Sequence, residues 1–320
     1  MMDEADERLT GMTPQLTEIA NGLGFPEGPV MLPDGGMLVV EIARGCITRI
    51  GRDGRKHVLA RPGGGPNGAA FGPDGFLYVC NSGGFSWRNE DGRLIPSGQA
   101  EDYSGGRIER VDIETGKVEA IYTACDGFPL KGPNDIVFDR DGGFYFTDHG
   151  KRRPREVDLG GLFYARTDGS LIREIVQPMI MPNGVGLSPD ERTVYVAETR
   201  TGHLWGFDIV APGVLQRGPP HENGGRHLTG PAGYTSFDSL AVERDGNICV
   251  ASLVLGGINV IAPDGAFLGF VPMPDPICTN ICFGGADLRT AYVTLSSTGR
   301  IVSLPWPREG LRLNFDPCGR

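Results

Sequence analysis

Between residues 24 and 305 the chain is a succession of short apolar runs cut by Asp-Gly-type turns. The stretch "GFPEGPVMLPDGGMLVVE" sets the form: a polar anchor (Glu27) before a glycine, a short apolar strand, a tight turn at Asp34 and a second, β-rich strand. Alternating runs of this length, bounded by Gly, Pro and Asp, predict hairpins rather than helices. The form returns five times, with Asn67 ahead of Asp74, Asn134 ahead of Asp141, Asn183 ahead of Asp190, Asp238 ahead of Asp245, and Asn280 ahead of Asp287. Anchor and turn aspartate are seven residues apart in all six units, which rules out coincidence. A third strand opening on glycine follows each pair ("GCITRI", "GRIERV", "GLFYAR", "GHLWGF", "GINVIA", "GRIVSL"), then a fourth such as "KHVLA" or "VEAIY". Six repeats of four antiparallel strands predict an all-β, six-bladed β-propeller. The sixth unit stops after its third strand, while "QLTEIANGLGFPEG" supplies a strand with no blade of its own, so the N-terminal strand is expected to complete the last blade and close the ring.

Composition narrows this picture without redrawing it. With 50 Gly and 25 Pro the chain is rich in turns, and 39% hydrophobic residues suffice for a core. A single propeller domain is expected over 15–320, behind an acidic and disordered tail over 1–14. No apolar run approaches the ~20 residues of a membrane span. A net charge of −10 argues against nucleic acid and anionic membranes as partners. Seven cysteines without a CxxC pair, Cys278 and Cys282 among them, read as small buried hydrophobes in a reducing compartment, hence a cytoplasmic protein. The pattern is silent on oligomeric state.

Rotational symmetry gives the anchors a meaning. Equivalent positions at the start of each innermost strand lie in a ring at one mouth of the central channel. That ring is Glu27, Asn67, Asn134, Asn183, Asp238 and Asn280, two carboxylates and four carboxamides. Every one of them offers oxygen, and two carboxylates balance a hard divalent cation. Asn before glycine is also a common turn residue, and for Asn280, in the most degenerate unit, that structural reading is preferred. From the end of strand two to the glycine opening strand three is 4 residues in the first and fourth blades, but 25 in the second (Asn81 to Gly106) and 13 in the third (Asp148 to Gly161). These insertions, and the segment from Leu215 to Thr235, are expected on the anchor face as a substrate cover.

The motifs "FPEGP", "GPNDIVFD", "MPNGVGLSPD" and "SFDSLAVERDGN" resemble, in order and spacing, the regucalcin (senescence marker protein)/gluconolactonase family, from about Leu16 to Trp306. The resemblance implies one divalent cation at the channel mouth, held by Glu27, Asn134, Asn183 and Asp238, and hydrolysis of a sugar (aldono-) lactone. It also implies Asn67 near the substrate. The chain departs from the family at Gly132, where regucalcin-like members offer a substrate-binding arginine, leaving Lys131 beside it as a substrate-binding candidate. It departs again at His149 and the basic run that follows.

On this reading the metal polarises the lactone carbonyl, and Asp238 is the general base for the attacking water. Asp135 is a candidate for orienting the ligands, with backbone satisfaction as its alternative. His149 is a candidate for substrate binding or proton relay, against a loop histidine with no role. Arg152, Arg153 and Arg155 would recognise an anionic group or form a solvated turn; Trp87 and Tyr103 would stack on a sugar or pin their loop. All-oxygen ligation favours Ca2+, with Mg2+ or Mn2+ also compatible, and the resemblance adds Zn2+ and Fe2+. Two other readings keep the propeller: a phosphotriesterase resembling the diisopropyl fluorophosphatase, separable by its substrates, and a non-catalytic binding propeller with no use for a cation. A propeller of the strictosidine synthase type, needing no metal, is more distant.

Overall fold

Six antiparallel sheets, five of four strands and one of five, follow one another round a ring in the computed structural model, which describes residues 14–319 except 217, 219–222, 230–233 and 235. The first blade runs Pro26–Met31, Met37–Glu41, Cys46–Ile50, Lys56–Ala60, and the second Pro66–Phe71, Leu77–Asn81, Arg107–Val111, Val118–Tyr122. The third is Pro133–Phe138, Gly143–Asp148, Gly160–Arg166, Ile172–Met179. The fifth is Ser236–Val242, Ile248–Leu253, Gly257–Ile261, Phe267–Pro272. The sixth takes Cys278–Gly284, Thr290–Leu295 and Arg300–Pro305, and is completed by Thr17–Ala20, paired antiparallel with Arg300–Pro305 with Thr17 opposite Ser303. The expected closure of the ring by an N-terminal strand is therefore observed. Apart from Pro14, the acidic tail lies outside the described residues.

The fourth blade differs from expectation. After Pro182–Leu187 and Thr193–Glu198, its third strand, Leu204–Ala211, pairs with Val214–Leu215 and then with Arg226–Thr229. The segment Leu215 to Thr235 is thus no single covering loop, because its middle is the blade's fourth strand.

Local chemistry builds the hairpins. The turn aspartates accept the N–H two residues on, Asp34 from Gly36 (3.0 Å), Asp190 from Arg192 (3.1 Å) and Asp287 from Arg289 (3.1 Å), which fixes the turn by a contact within the turn itself. In the third blade Asp139 does this work, bonding Asp141 and Gly143. Apolar residues fill the spaces between neighbouring blades. Tyr78, Phe138, Phe144, Phe146 and Phe163 pack between the second and third, and Cys249, Val260, Ile281, Val293 and Trp306 between the fifth and sixth. All seven cysteines carry free thiols, and five are buried. Among the described residues no helix is long and apolar enough to cross a membrane.

The far end of the channel is covered by the C-terminal segment. Leu311 N–H donates to Val242 O (2.8 Å), Asn314 Nδ2 to Phe138 O (3.0 Å) and Glu191 Oε1 (2.8 Å), and Phe315 meets Phe138 edge-on. Behind it lies an apolar cavity of about 500 Å³.

Candidate active site

The inner strands do more than line the channel. In all six, the pairing with the second strand slips at the anchor: between Glu27 and Val30, Pro66 and Ala69, Pro133 and Ile136, Pro182 and Val185, Phe237 and Leu240, Cys278 and Asn280. Such a bulge releases one residue from the ladder and re-aims its side chain. Glycine after the anchor lets neighbouring inner strands approach. A Cβ on Gly28 would stand 2.5 Å from Asn67 O, and one on Gly184 2.7 Å from Asp238 O.

Five of the six ring residues, Glu27, Asn67, Asn134, Asn183 and Asp238, together line one cavity of about 720 Å³ at the mouth of the channel. All five are buried, which keeps their oxygens out of bulk water. The sixth is different. Asn280 Nδ2 donates to Glu27 Oε2 (2.7 Å), and Asn280 lines the apolar cavity on the channel side. It therefore holds a neighbouring carboxylate, in keeping with the structural role preferred from its sequence.

The hydrogen bonds leave specific atoms over. Glu27 Oε2 accepts from Gly28 N–H (2.6 Å) and Asn280, while its Oε1 is buried with no partner among the described residues. Asn134 Oδ1 is likewise buried and unpaired. Asn183 Nδ2 donates to Thr199 Oγ1 (3.1 Å), which leaves its oxygen facing Ser239 Oγ at 3.4 Å. Asp238 Oδ1 accepts from Ser239 N–H (3.1 Å). Burial pushes the Glu27 carboxyl above its ordinary range, and burial with the nearby Glu27 pushes Asp238 well above its own. Two buried carboxylates that repel each other, beside an orphaned amide oxygen, are what a hard divalent cation satisfies. Among the described residues no three His, Cys, Asp or Glu stand together as a metal cluster, so the fit depends on the amides.

Asp135 stands behind the ring. It lines the channel-side cavity, accepts from Ile136 N–H (2.9 Å) and Val185 N–H (3.4 Å), and is pushed to about 7 by burial and then by Glu27. The Val185 bond ties the third blade to the fourth. His149 lines the mouth cavity, but burial, and then the Lys151 charge, pull its imidazole down to about 4. A neutral imidazole is favoured there, which can still offer one hydrogen bond towards the cavity. Lys131 is exposed and outside the cavity lining; its backbone N–H donates to Asp148 Oδ2 (2.7 Å).

The loop after Asn81 is an ordered hairpin, Phe85–Glu90 with Arg93–Gln99, laid over the mouth. Leu94 N–H reaches Ser297 O in the sixth blade (2.9 Å), and Gln99 N–H reaches Arg152 O in the third (3.0 Å). Trp87 lines the cavity and packs on Phe25 at 4.9 Å. Tyr103 pins its loop, donating to Lys131 O (2.7 Å). Arg153 ion-pairs with Asp158 (2.7 Å) and Glu156 (3.0 Å), whereas Arg152 lines the cavity.

Two features escape the sequence reading. Lys151, inside the supposed solvated basic turn, is buried; its Nζ donates to Gly84 O (2.9 Å) and sits 3.9 Å from the centre of the Phe85 ring. The last residue of the second strand forms a repeated latch onto the segment before the inner strand. Glu41 takes Gly24 N–H, Asn81 takes Gly65 N–H, Asp148 takes Gly132 N–H and Glu198 takes Ile180 N–H. A polar residue at this repeat position in four blades was the available signal.

Known proteins share this architecture. The family profile described as SMP-30/gluconolactonase/LRE-like region matches residues 25–297. A gluconolactonase of Zymomonas mobilis is 27% identical over 305 residues, covering 87% of this chain and 78% of that protein. The lactonase drp35 of Staphylococcus haemolyticus is 29% identical over 276 residues, covering 86% and 77%. Among solved structures, a gluconolactonase of Xanthomonas campestris superposes with a TM-score of 0.73 at 23% identity, over 95% of this chain and 93% of that one. The calcium-binding protein regucalcin of Agrobacterium tumefaciens superposes at 0.71 and 17% identity, over 96% and 97%. Six blades with these anchors, and a profile spanning most of the chain, place this protein in the SMP-30/gluconolactonase/LRE-like family.

Proposed function

We propose that the protein is a lactonase, hydrolysing the ester bond of a sugar lactone with the help of one divalent cation. The observation that carries the reading is the pair of buried, unpartnered oxygens, Glu27 Oε1 and Asn134 Oδ1, on a ring with Asn183 and Asp238 at the floor of an open cavity. The names of the lactonase and gluconolactonase relatives support the choice of substrate class.

Glu27, Asn134, Asn183 and Asp238 would hold the cation, and Ca2+ suits this oxygen-only set best. The cation supplies Lewis acidity towards the lactone carbonyl oxygen. The two amides contribute no charge, which keeps the site electrophilic. Asp238 takes the proton of the attacking water. It and Glu27 each accept one backbone N–H, but Glu27 is also held by Asn280, which leaves Asp238 the freer carboxylate for that task. Glu27 keeps a fixed orientation because Asn280 and Gly28 hold its Oε2. His149, neutral, offers a hydrogen bond to substrate from the cavity wall. The hairpin carrying Trp87 narrows the mouth, with an apolar face for the sugar ring.

The test is hydrolysis of D-glucono-δ-lactone by chelator-treated protein before and after Ca2+, Mg2+, Mn2+, Zn2+ or Fe2+ is restored, measured above the spontaneous rate. Activity that returns with one of these cations supports the reading. Activity that never depended on a cation, or that no cation restores with any lactone, rejects it.

A further inference from the structure

The floor of the cavity has a proposed use, but its rim has a charge that hydrolysis of a neutral sugar lactone does not require. Four arginines line the mouth, Arg88, Arg93, Arg152 and Arg200, against two rim carboxylates, Glu90 and Asp91. They come from three separate places: the two strands of the covering hairpin, the loop after the third blade's second strand, and the turn after the fourth blade's second strand. Separate elements that bring arginines to one opening make a feature of the assembled ring, not of a basic stretch of sequence. The rim's excess of two positive charges is balanced within the same cavity by Glu27 and Asp238, so the mouth becomes a local reversal of the chain's −10 only when a cation offsets those two carboxylates.

The arginines are also available. Many guanidinium groups elsewhere are spent on carboxylates, such as Arg107 on Glu109, Arg140 on Glu191, Arg153 on Asp158, Arg308 on Glu243 and Arg312 on Asp316, although among the described residues Arg52, Arg61 and Arg173 are not. At the mouth only Arg88 is so engaged, with Glu90 at 3.0 Å; among the described residues Arg93, Arg152 and Arg200 have no carboxylate within 4.0 Å. Guanidinium presents a planar fork of donors that matches carboxylate or phosphate oxygens, and it keeps its charge at any working pH. The floor residues Glu27 and Asp238 do not cancel this charge from below once they share a divalent cation.

Resting on the lactonase reading, we propose that the substrate is an anionic lactone, a sugar lactone whose end remote from the ring ester carries a carboxylate or a phosphate. The orientation follows from depth. The residues that act on the carbonyl are buried, whereas the arginines are exposed at the rim, so the reactive end points inward and the anionic end outward. A cavity of about 720 Å³ holds a six-carbon lactone with its extra group. The rim arginines would contribute to encounter and to binding, and the ring to chemistry. The benefit therefore falls mainly in KM.

The experiment compares three lactones with the cation-loaded, full-length protein: neutral D-glucono-δ-lactone, D-glucaro-δ-lactone carrying a carboxylate, and 6-phospho-D-glucono-δ-lactone carrying a phosphate. One anionic lactone is expected to exceed the neutral one in kcat/KM by about 10- to 100-fold, mostly through KM; which of the two does so identifies the group. The preference should shrink as salt rises from about 10 mM to about 500 mM, since exposed charges are screened over a Debye length. In the double variant Arg152→Gln/Arg200→Gln the ratio of anionic to neutral kcat/KM should fall about tenfold or more. The salt series uses the unaltered protein and so stands even if the variant does not fold. Equal or better turnover of the neutral lactone, with no salt dependence, overturns the inference while leaving the lactonase reading intact. Hydrolysis of none of the three, with any cation, overturns both.

Discussion

Two oxygens at the centre of the ring, Glu27 Oε1 and Asn134 Oδ1, are buried without a bond among the described residues, and a folded chain tolerates such atoms at a cost of about 1–3 kcal/mol each. That cost separates a functional residue from a structural one. Asn134→Leu should leave the chelator-treated protein as stable as before or more so, while weakening Ca2+ affinity by at least about tenfold. Paired thermal melts and calorimetric titration would show it; a variant that melts earlier yet binds Ca2+ normally would mark Asn134 as structural. His149 gives a second test at this scale. Its folded-state imidazole, pulled down to about 4 from 6.5, binds fewer protons than the unfolded chain between those values. Stability is therefore lost as pH falls through that window, by up to about 3 kcal/mol, and is fully present above it. Urea unfolding at stepped pH should show a smaller acid loss for His149→Gln than for the unaltered protein. The charge state of His149 was not legible beforehand, because it depends on Lys151 and on a covering hairpin that only the folded ring brings together.

At the scale of strands, the seven-residue spacing from anchor to turn aspartate was enough to place every hairpin, and where Asp34, Asp74, Asp190 and Asp287 make the Asx bond it lies within the turn itself. Contacts between distant segments left weaker traces. The bulge that turns each anchor into the channel has no residue signature of its own beyond the glycine after some anchors. The latch from strand end to preceding segment was present as Glu41, Asn81, Asp148 and Glu198, but its partners are backbone N–H groups, which carry no side-chain identity. Asp148 is the fullest case, accepting from Lys131, Gly132 and Gly150. Asp148→Ala should cost about 3 kcal/mol or more, because buried donors are left open. Denaturant unfolding would measure the loss; Asp148→Asn should restore part of it. A loss under about 0.5 kcal/mol would show that the latch does not hold the blade. The same limit explains Lys131 and Lys151: adjacency to the motif favoured the first, while packing under Phe85 and Tyr103 buried the second.

For the whole molecule, ring closure and a one-sided channel are the features that position the site. Thr17–Ala20 covers the outer edge of Arg300–Pro305, and deletion of residues 1–20 should lower the melting midpoint by about 5 °C or more and promote aggregation through that bared strand. Light scattering during the melt reads both effects, and an unchanged midpoint would contradict closure by this strand. With the C-terminal segment over the other end, the proposed substrate and cation would meet at one mouth, on the ring of Glu27, Asn134, Asn183 and Asp238. The most direct measurement of that claim is a Ca2+ titration of chelator-treated protein in which heat of binding and lactone hydrolysis are followed on the same preparation. The account predicts one cation per chain, with rate and heat saturating together, and loss of both in Glu27→Gln. Saturation of binding with no change in rate, or hydrolysis at full rate before any cation is added, would contradict it.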